Sequence, residues 1–263
     1  MIFDTHAHYD DEAFDEDRRE LLLRMKESGI GTIVNIGASI ESSKMTLALA
    51  EEYPFIYGAL GVHPSEVEEL NEELFQWLKD TCAGQSVAKG GKIVAVGEIG
   101  LDYYWNDEDE PDRGIQKKWF EKQIEMAKEE KLPIIIHSRE AAKDTYDIVK
   151  ALHAGENGGI VHCYSYSKEL AKEFLSMGFH FGIGGVLTFK NARKLREVVE
   201  YLPMESIVLE TDSPYLSPVP HRGERNSSLN LPYVIQTLSE MKGIEEERII
   251  EITENNAKKL FAL

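Results

Sequence analysis

Six side chains of metal-binding type stand where they can converge: His6, His8, Glu98, His137, His162 and Asp212. His6 and His8 lie two residues apart in Asp4-Thr5-His6-Ala7-His8, and the period of an extended strand turns both imidazoles to one face. Each of the other four closes an apolar run of strand character. Taken alone, a strand-end imidazole or carboxylate has an ordinary explanation as a hydrogen-bonded structural residue or a helix cap. Four imidazoles together do not, because they add nothing to stability and repel one another when protonated. A divalent ion accounts for the set.

Six ligands exceed the need of one tetrahedral ion, and an ion that activates water keeps a position open. Two ions sharing Glu98 use the whole set, with His6, His8, Glu98 and Asp212 around one and Glu98, His137 and His162 around the other. Ions about 3.5–4 Å apart can deprotonate a bridging water and polarise the bond it attacks. Asp212 can accept or shuttle that proton. Glu98 and Asp212 are therefore the candidate catalytic residues, and Zn²⁺, Mg²⁺ or Mn²⁺ the candidate ions.

Such convergence needs a scaffold. The pattern predicts strands over Ile2–His8, Thr32–Ile36, Phe55–Val62, Ile93–Glu98, Pro133–His137, Gly159–His162, His180–Gly184 and Ser206–Asp212. Between them, segments with a period near 3.6 predict helices over Arg18–Ser28, Ser42–Tyr53, Leu74–Thr81, Gln116–Glu130, Ala141–Leu152, Lys168–Met177 and Ala192–Tyr201. At least two more fall in the tail from Leu231 to Leu263. Gly29, Gly155 and Gly178 sit where helix C-caps belong. Residues 83–92, with three glycines, read as a mobile loop on the non-catalytic side.

Strands alternating with helices imply parallel βα units. An open doubly wound sheet favours a glycine-rich phosphate loop after its first strand, and none is present. The expected fold is therefore an α/β, (β/α)₈ TIM barrel, one domain over residues 1–263, whose active site forms at the C-terminal ends of the strands.

Composition narrows the function. The chain has 263 residues and 29 basic against 47 acidic side chains, a net charge of −18. It lacks the basic field of non-specific nucleic-acid binders. Two cysteines, Cys82 and Cys163, exclude a disulfide scaffold and suit a reducing compartment. No apolar run reaches the length of a membrane span, and residues 1–8 read as strand and motif. A cytoplasmic protein without a membrane or obligate protein partner is expected.

The motifs in order carry a resemblance. Asp4-Thr5-His6-Ala7-His8, Gly97-Glu98-Ile99-Gly100-Leu101-Asp102-Tyr103-Tyr104, Ile136-His137-Ser138-Arg139, His162-Cys163 and Glu210-Thr211-Asp212-Ser213-Pro214-Tyr215 are similar to the TatD family of metal-dependent deoxyribonucleases. The resemblance runs from Met1 to the closing Asn256-Ala257…Leu260-Phe261. It implies hydrolysis of DNA phosphodiesters at a divalent-metal centre, as a 3′–5′ exonuclease or on damaged ends. It also implies that His63, in Gly61-Val62-His63-Pro64, and Arg139 face the substrate phosphate, and that Arg222 belongs to an Arg-Gly loop of the site. A guanidinium fork suits phosphate oxygens. Two departures stand out: Ser227-Ser228 replaces the family's Glu-Pro, and Cys163-Tyr164-Ser165-Tyr166 replaces Cys-Phe-Ser-Gly. Both are expected in loops above the metals.

Other residues have plainer readings. Alternation turns Cys163 away from the metals, as a buried inert thiol. Cys82 reads as structural or partly exposed. Glu210 and Asp4 are expected to orient imidazoles. The acidic runs Asp10–Asp17 and Asp107–Asp112 read as solvated loops beside the mouth, with repulsion of long DNA as the functional alternative. Tyr103, Tyr104 and Trp105 either stack bases or pack beneath the loop. A DNase acting on single-stranded ends or short oligonucleotides is the first reading. The alternative is an amidohydrolase or esterase using the same site on a small molecule, and a non-enzymatic barrel is disfavoured because every ligand position is filled.

Overall fold

The structure, a computed structural model, describes residues 1–104 and 112–263. Eight parallel strands follow one another around a single sheet in chain order. They are β1 (Ile2–Ala7), β2 (Ile30–Ile36), β3 (Ile56–Leu60), β4 (Ile93–Asp102), β5 (Ile134–Arg139), β6 (Gly159–Val161), β7 (Phe179–Ile183) and β8 (Ile207–Leu209). The ring is joined between its first and last strands by a parallel bridge from Ala7 to Ser213 and a 2.8 Å bond from the His8 N–H to the Ser213 carbonyl. This is the (β/α)₈ barrel the sequence predicts.

The helices are α1 (Arg18–Arg24), α2 (Ile40–Glu52), α3 (Glu72–Gln85), α4 (Arg113–Glu130), α5 (Ala142–Ala151), α6 (Lys168–Ser176), α7 (Arg193–Tyr201), α8 (Leu231–Lys242) and α9 (Glu246–Phe261). Their starts are chemically marked: the Ser39, Asn71 and Ser167 side chains accept first-turn N–H groups of α2, α3 and α6. The expected loop at residues 83–92 is instead taken up by the last turn of α3 and a short 3₁₀ turn over Val87–Lys89. Gly155 is not the cap of α5 either, since His153 holds the left-handed conformation there, with φ 51°.

Two apolar bodies hold the barrel. One fills the layer between sheet and helices. The smaller joins Val34, Ile36, Ile135, Ile160 and Val208 to Phe3 and to Ala257 and Phe261 of α9. Ile135 precedes His137 by an even step within β5 and so lines the lumen below the site, where Ile160 and Val208 share its cluster. Phe3 and Phe261 meet with ring centroids 6.0 Å apart at the strands' N-terminal end. Among the described residues, no helix is long and apolar enough to cross a membrane.

Of the strand ends that differ from the sequence reading, three bear on the site. β4 continues four residues past Glu98, and all ten of its residues are buried, so no alternation of polarity marks its end. β6 stops before His162 because Cys163 turns left-handed, with φ 43°. β8 stops at Leu209, after which the Asp4 carboxylate accepts the Thr211 N–H at 3.1 Å and hydroxyl at 2.7 Å. That pull draws the chain out of regular pairing.

Candidate metal centre

All six expected ligands meet at the C-terminal mouth. Glu98 lies at the centre, and its two oxygens face different histidines. Oε2 is 3.4 Å from His6 Nε2 and 3.7 Å from His8 Nε2, whereas Oε1 is 2.8 Å from His137 Nδ1 and 3.8 Å from His162 Nε2. Asp212 Oδ1 stands 3.5–3.7 Å from the Nε2 atoms of His6, His8 and His162. The backbone supports this crowding: a Cβ on Gly100, whose φ is 151°, would lie 1.8 Å from the His137 carbonyl oxygen, so only glycine lets β4 approach β5 there.

The donors fit a cation. His8 Nδ1 donates to the Ile36 carbonyl at 3.0 Å, which leaves the Nε2 lone pair directed at the cluster. His6 Nε2 and His8 Nε2 face each other at 3.1 Å, two basic nitrogens that a shared cation would satisfy together. Ligating atoms of His6, His8 and Asp212, and of His6, Glu98 and His162, lie close enough to hold an ion.

The charge balance without metal is unusual. Burial works against protonated imidazoles, yet Asp212 and Glu98 outweigh it at His8 and push it up to about 9. Asp102 and Glu98 do the same for His137, to about 9, and Glu210, Asp212 and Glu98 for His162, to about 10. Burial favours the neutral acid at Glu98, but His162, His137 and His6 hold its carboxyl well below the usual range. Metal uptake must therefore displace protons.

Asp102 was missed by the sequence reading. Its Oδ2 lies 3.0 Å from His137 Nε2, so His137 is held between two carboxylates. The signal was the even spacing of Glu98, Gly100 and Asp102, hidden by ending the strand at Glu98. His63 stands edge-on to His137, ring centroids 4.3 Å apart, and burial with that neighbour lowers it to about 3. The Ser65 N–H donates to His63 Nδ1 at 3.2 Å, leaving a proton for Nε2.

Below the cluster, Glu210 Oε1 lies 3.2 Å from His162 Nδ1, an ion-pair contact without hydrogen-bond geometry, and accepts the Cys163 N–H at 2.7 Å. Asp4 does not touch an imidazole ring. It binds the His6 and Thr211 backbone N–H groups and the Ser228 hydroxyl, and burial raises it to about 7. Ser228 is fully buried, so the Ser227-Ser228 departure braces β1 from within rather than shaping a loop above the metals.

A cavity of about 1020 Å³ opens over the cluster, lined by His63, Arg139 and Cys163 among others. Cys163 thus faces the cavity, contrary to the alternation argument, because the strand has already ended. Cys82 is fully buried. Arg139 lies over the Tyr104 ring at 3.7 Å. Arg222 is not among the lining residues; its guanidinium lies 4.4 Å from the centre of the Phe189 ring.

The acidic run Asp10–Asp17 is no bare solvated loop. Asp10 accepts from Asn35 and Ser42, Asp15 pairs with Arg18, and Asp17 pairs with Arg225. Of the run Asp107–Asp112 only Asp112, the N-cap of α4, is within the described residues; Trp105 is outside them too. Tyr103 is buried and donates to Asp144 at 2.9 Å, which makes it a packing residue.

Residues 3–262 match the family model described as TatD related DNase. A Bacillus subtilis protein described as an uncharacterized metal-dependent hydrolase, YabD, is 42% identical over 263 residues, covering 100% of both chains. The Escherichia coli TatD homologue YjjV superposes with a TM-score of 0.91 at 32% identity, covering 100% of this chain and 98% of that one. A TatD family hydrolase from Entamoeba histolytica, at 22% identity and a TM-score of 0.84 with 99% and 97% coverage, shares the fold.

Proposed function

The chain belongs to the TatD-related DNase family, and from that premise we propose that it is a metal-dependent hydrolase cleaving DNA phosphodiester bonds. The observation that carries the reading is the divided Glu98 carboxylate, one oxygen toward His6 and His8, the other toward His137 and His162. In this reading His6, His8, Glu98 and Asp212 hold one divalent ion, and Glu98, His137 and His162 a second. Zn²⁺, Mg²⁺ and Mn²⁺ all suit such ligands. Bound there, the ions supply a nucleophile at neutral pH and stabilise negative charge on the phosphoryl oxygens.

The chain's own residues do the rest. Asp212 Oδ1 accepts the proton of the attacking water. Arg139 binds non-bridging phosphate oxygens, and neutral His63 offers its Nε2–H to another. Asp10 and Asp11 line the cavity, and with a net charge of −18 they disfavour long duplex. Single-stranded ends or short oligonucleotides are therefore the preferred substrates.

The test is metal stoichiometry together with turnover of a single-stranded oligonucleotide, a p-nitrophenyl phosphodiester and an N-acyl amino acid. Phosphodiester cleavage that depends on added metal supports the reading. Turnover of the acyl substrate alone would replace it with an amidohydrolase.

A further inference from the structure

One wall of the cavity serves neither metal nor phosphate. It is formed by Val186, Leu195, Tyr215 and Leu216, and it shares the cavity with Asp212. Two of these side chains are unusually open for their type, Tyr215 at 55% exposure and Leu216 at 37%. Both are nevertheless held in place. The Tyr215 hydroxyl donates to Asp11 Oδ2 at 2.8 Å, its N–H to the Asp212 carbonyl at 2.8 Å, and its carbonyl accepts from the Asn226 amide at 2.8 Å.

Leu216 adopts the left-handed conformation, with φ 54°, which a leucine takes only at a cost. The short 3₁₀ turn after β7 leaves room for it, since a Cβ on Gly185 would lie 2.1 Å from the Leu216 carbonyl oxygen. Core packing does not demand this, because the side chain is open to the cavity. Backbone strain kept at a ligand-facing position is characteristic of binding surfaces.

Resting on the phosphodiesterase reading, we propose that this wall is the seat of the nucleobase next to the scissile phosphate, with the Tyr215 ring as stacking platform and Leu216 and Val186 against the base edge. None of the four side chains carries a charge, although Arg193 and Lys194 beside Leu195 and Asp11 at the Tyr215 hydroxyl line the same cavity. The face the four offer suits an uncharged part of the substrate, while the scissile phosphate lies toward Arg139 and the metal ligands. A platform of this kind accepts any base, because every base offers a π-face.

The experiment compares thymidine 5′-(p-nitrophenyl phosphate) with methyl p-nitrophenyl phosphate on the Zn²⁺-loaded protein, wild type against Leu216→Asn and Tyr215→Ala. Asparagine tolerates the left-handed backbone, so Leu216→Asn removes apolar surface without refolding the loop. The kcat/KM ratio of the base-bearing over the base-free diester should fall about tenfold in each variant, the scale of one lost stacking contact. Calorimetry should show the same loss of preference for thymidine 5′-phosphate over methyl phosphate.

An unchanged ratio alongside normal turnover overturns the nucleobase seat and leaves the phosphodiesterase reading intact. If neither diester is hydrolysed but the variants lose the calorimetric preference, the seat stands and the phosphodiesterase reading falls. Hexyl phosphate bound as tightly as thymidine 5′-phosphate would assign the wall to an alkyl or acyl chain and overturn the proposal.

Discussion

At the C-terminal end of the strands, buried His6, His8, Glu98 and His162 crowd together, while at the N-terminal end Phe3 and Phe261 close over Ile135, Ile160 and Val208. The mouth also keeps Glu140, Cys163, Asp212 and Leu216 at positive φ, just after β5, β6 and β8. Each such residue costs on the order of 1 kcal/mol. Among the described residues the base shows no comparable crowding of buried charge. Positive φ is not confined to the mouth, since Lys131, His153 and Ala262 also adopt it, but buried charge there is tolerable because apolar closure at the base stabilises the whole ring. Chemistry and stability are thus separated along the strand axis, by less than one strand's length.

The division can be broken most severely at Glu98. Glu98→Gln should cost more activity than the roughly 10–100-fold typical of losing an outer partner, because in the proposed two-ion arrangement both positions lose a ligand. Metal analysis should show fewer ions with the fold retained, and full activity with two ions would eliminate the shared-carboxylate arrangement. The converse change is Phe261→Ala, expected to destabilise by about 3–5 kcal/mol as a large-to-small core substitution. Its kcat at temperatures below unfolding should match wild type. A large fall in kcat of the folded variant would mean that the ends are not independent.

Asp102→Asn sharpens the boundary of the mouth. It removes one of the two carboxylates holding His137 and should lower activity or metal affinity by about 10–100-fold, with little effect on melting temperature. The two arginines separate further. Arg139→Ala should raise KM for phosphodiesters about tenfold, the loss of one charge-assisted contact. Arg222→Ala, off the cavity on Phe189, should stay within about twofold. Equal effects would put Arg222 back at the substrate.

The smallest signal is protonic. The histidines raised to about 9, 9 and 10 stabilise the metal-free protein fully below their unfolded pKa near 6.5, and that contribution is lost as pH rises to 10. Metal-free protein should therefore lose stability across that window. Zinc uptake at pH 7 should release protons, measurable by calorimetry in buffers of different ionisation enthalpy. A metal affinity independent of pH between 6 and 8 would contradict the charge balance of the mouth.

The sequence made the six converging side chains legible because each ends an apolar run and His6-x-His8 shares one face. The barrel followed from the same alternation. What stayed hidden depended on distant partners or on buried backbone. Asp102 was lost because β4 is buried throughout, so polarity gave no cue to its length. The Asp10–Asp17 run read as solvated because Arg225, more than 200 residues away, cannot be seen to pair with it. Ser228 was misplaced for a similar reason, since its partners Asp4 and Tyr9 belong to the opposite end of the chain. Leu216 announced nothing at all, because positive φ has no mark in a leucine.

The contact of Phe3 with Phe261 also bears on how the chain acquires its shape. The first strand pairs with β2 soon after it in the chain, but on its other side its neighbours are Ser213 and α9, some 200 residues away or more. Contacts of such span are slow to form, because the entropy of closing the intervening chain comes before any return. On a ribosome that adds roughly 5–20 residues per second, the lumen stays unsealed until the last helix has emerged. Its apolar lining, and the histidines above it, are exposed for that interval to whatever binds nascent chains and to whatever metals are at hand.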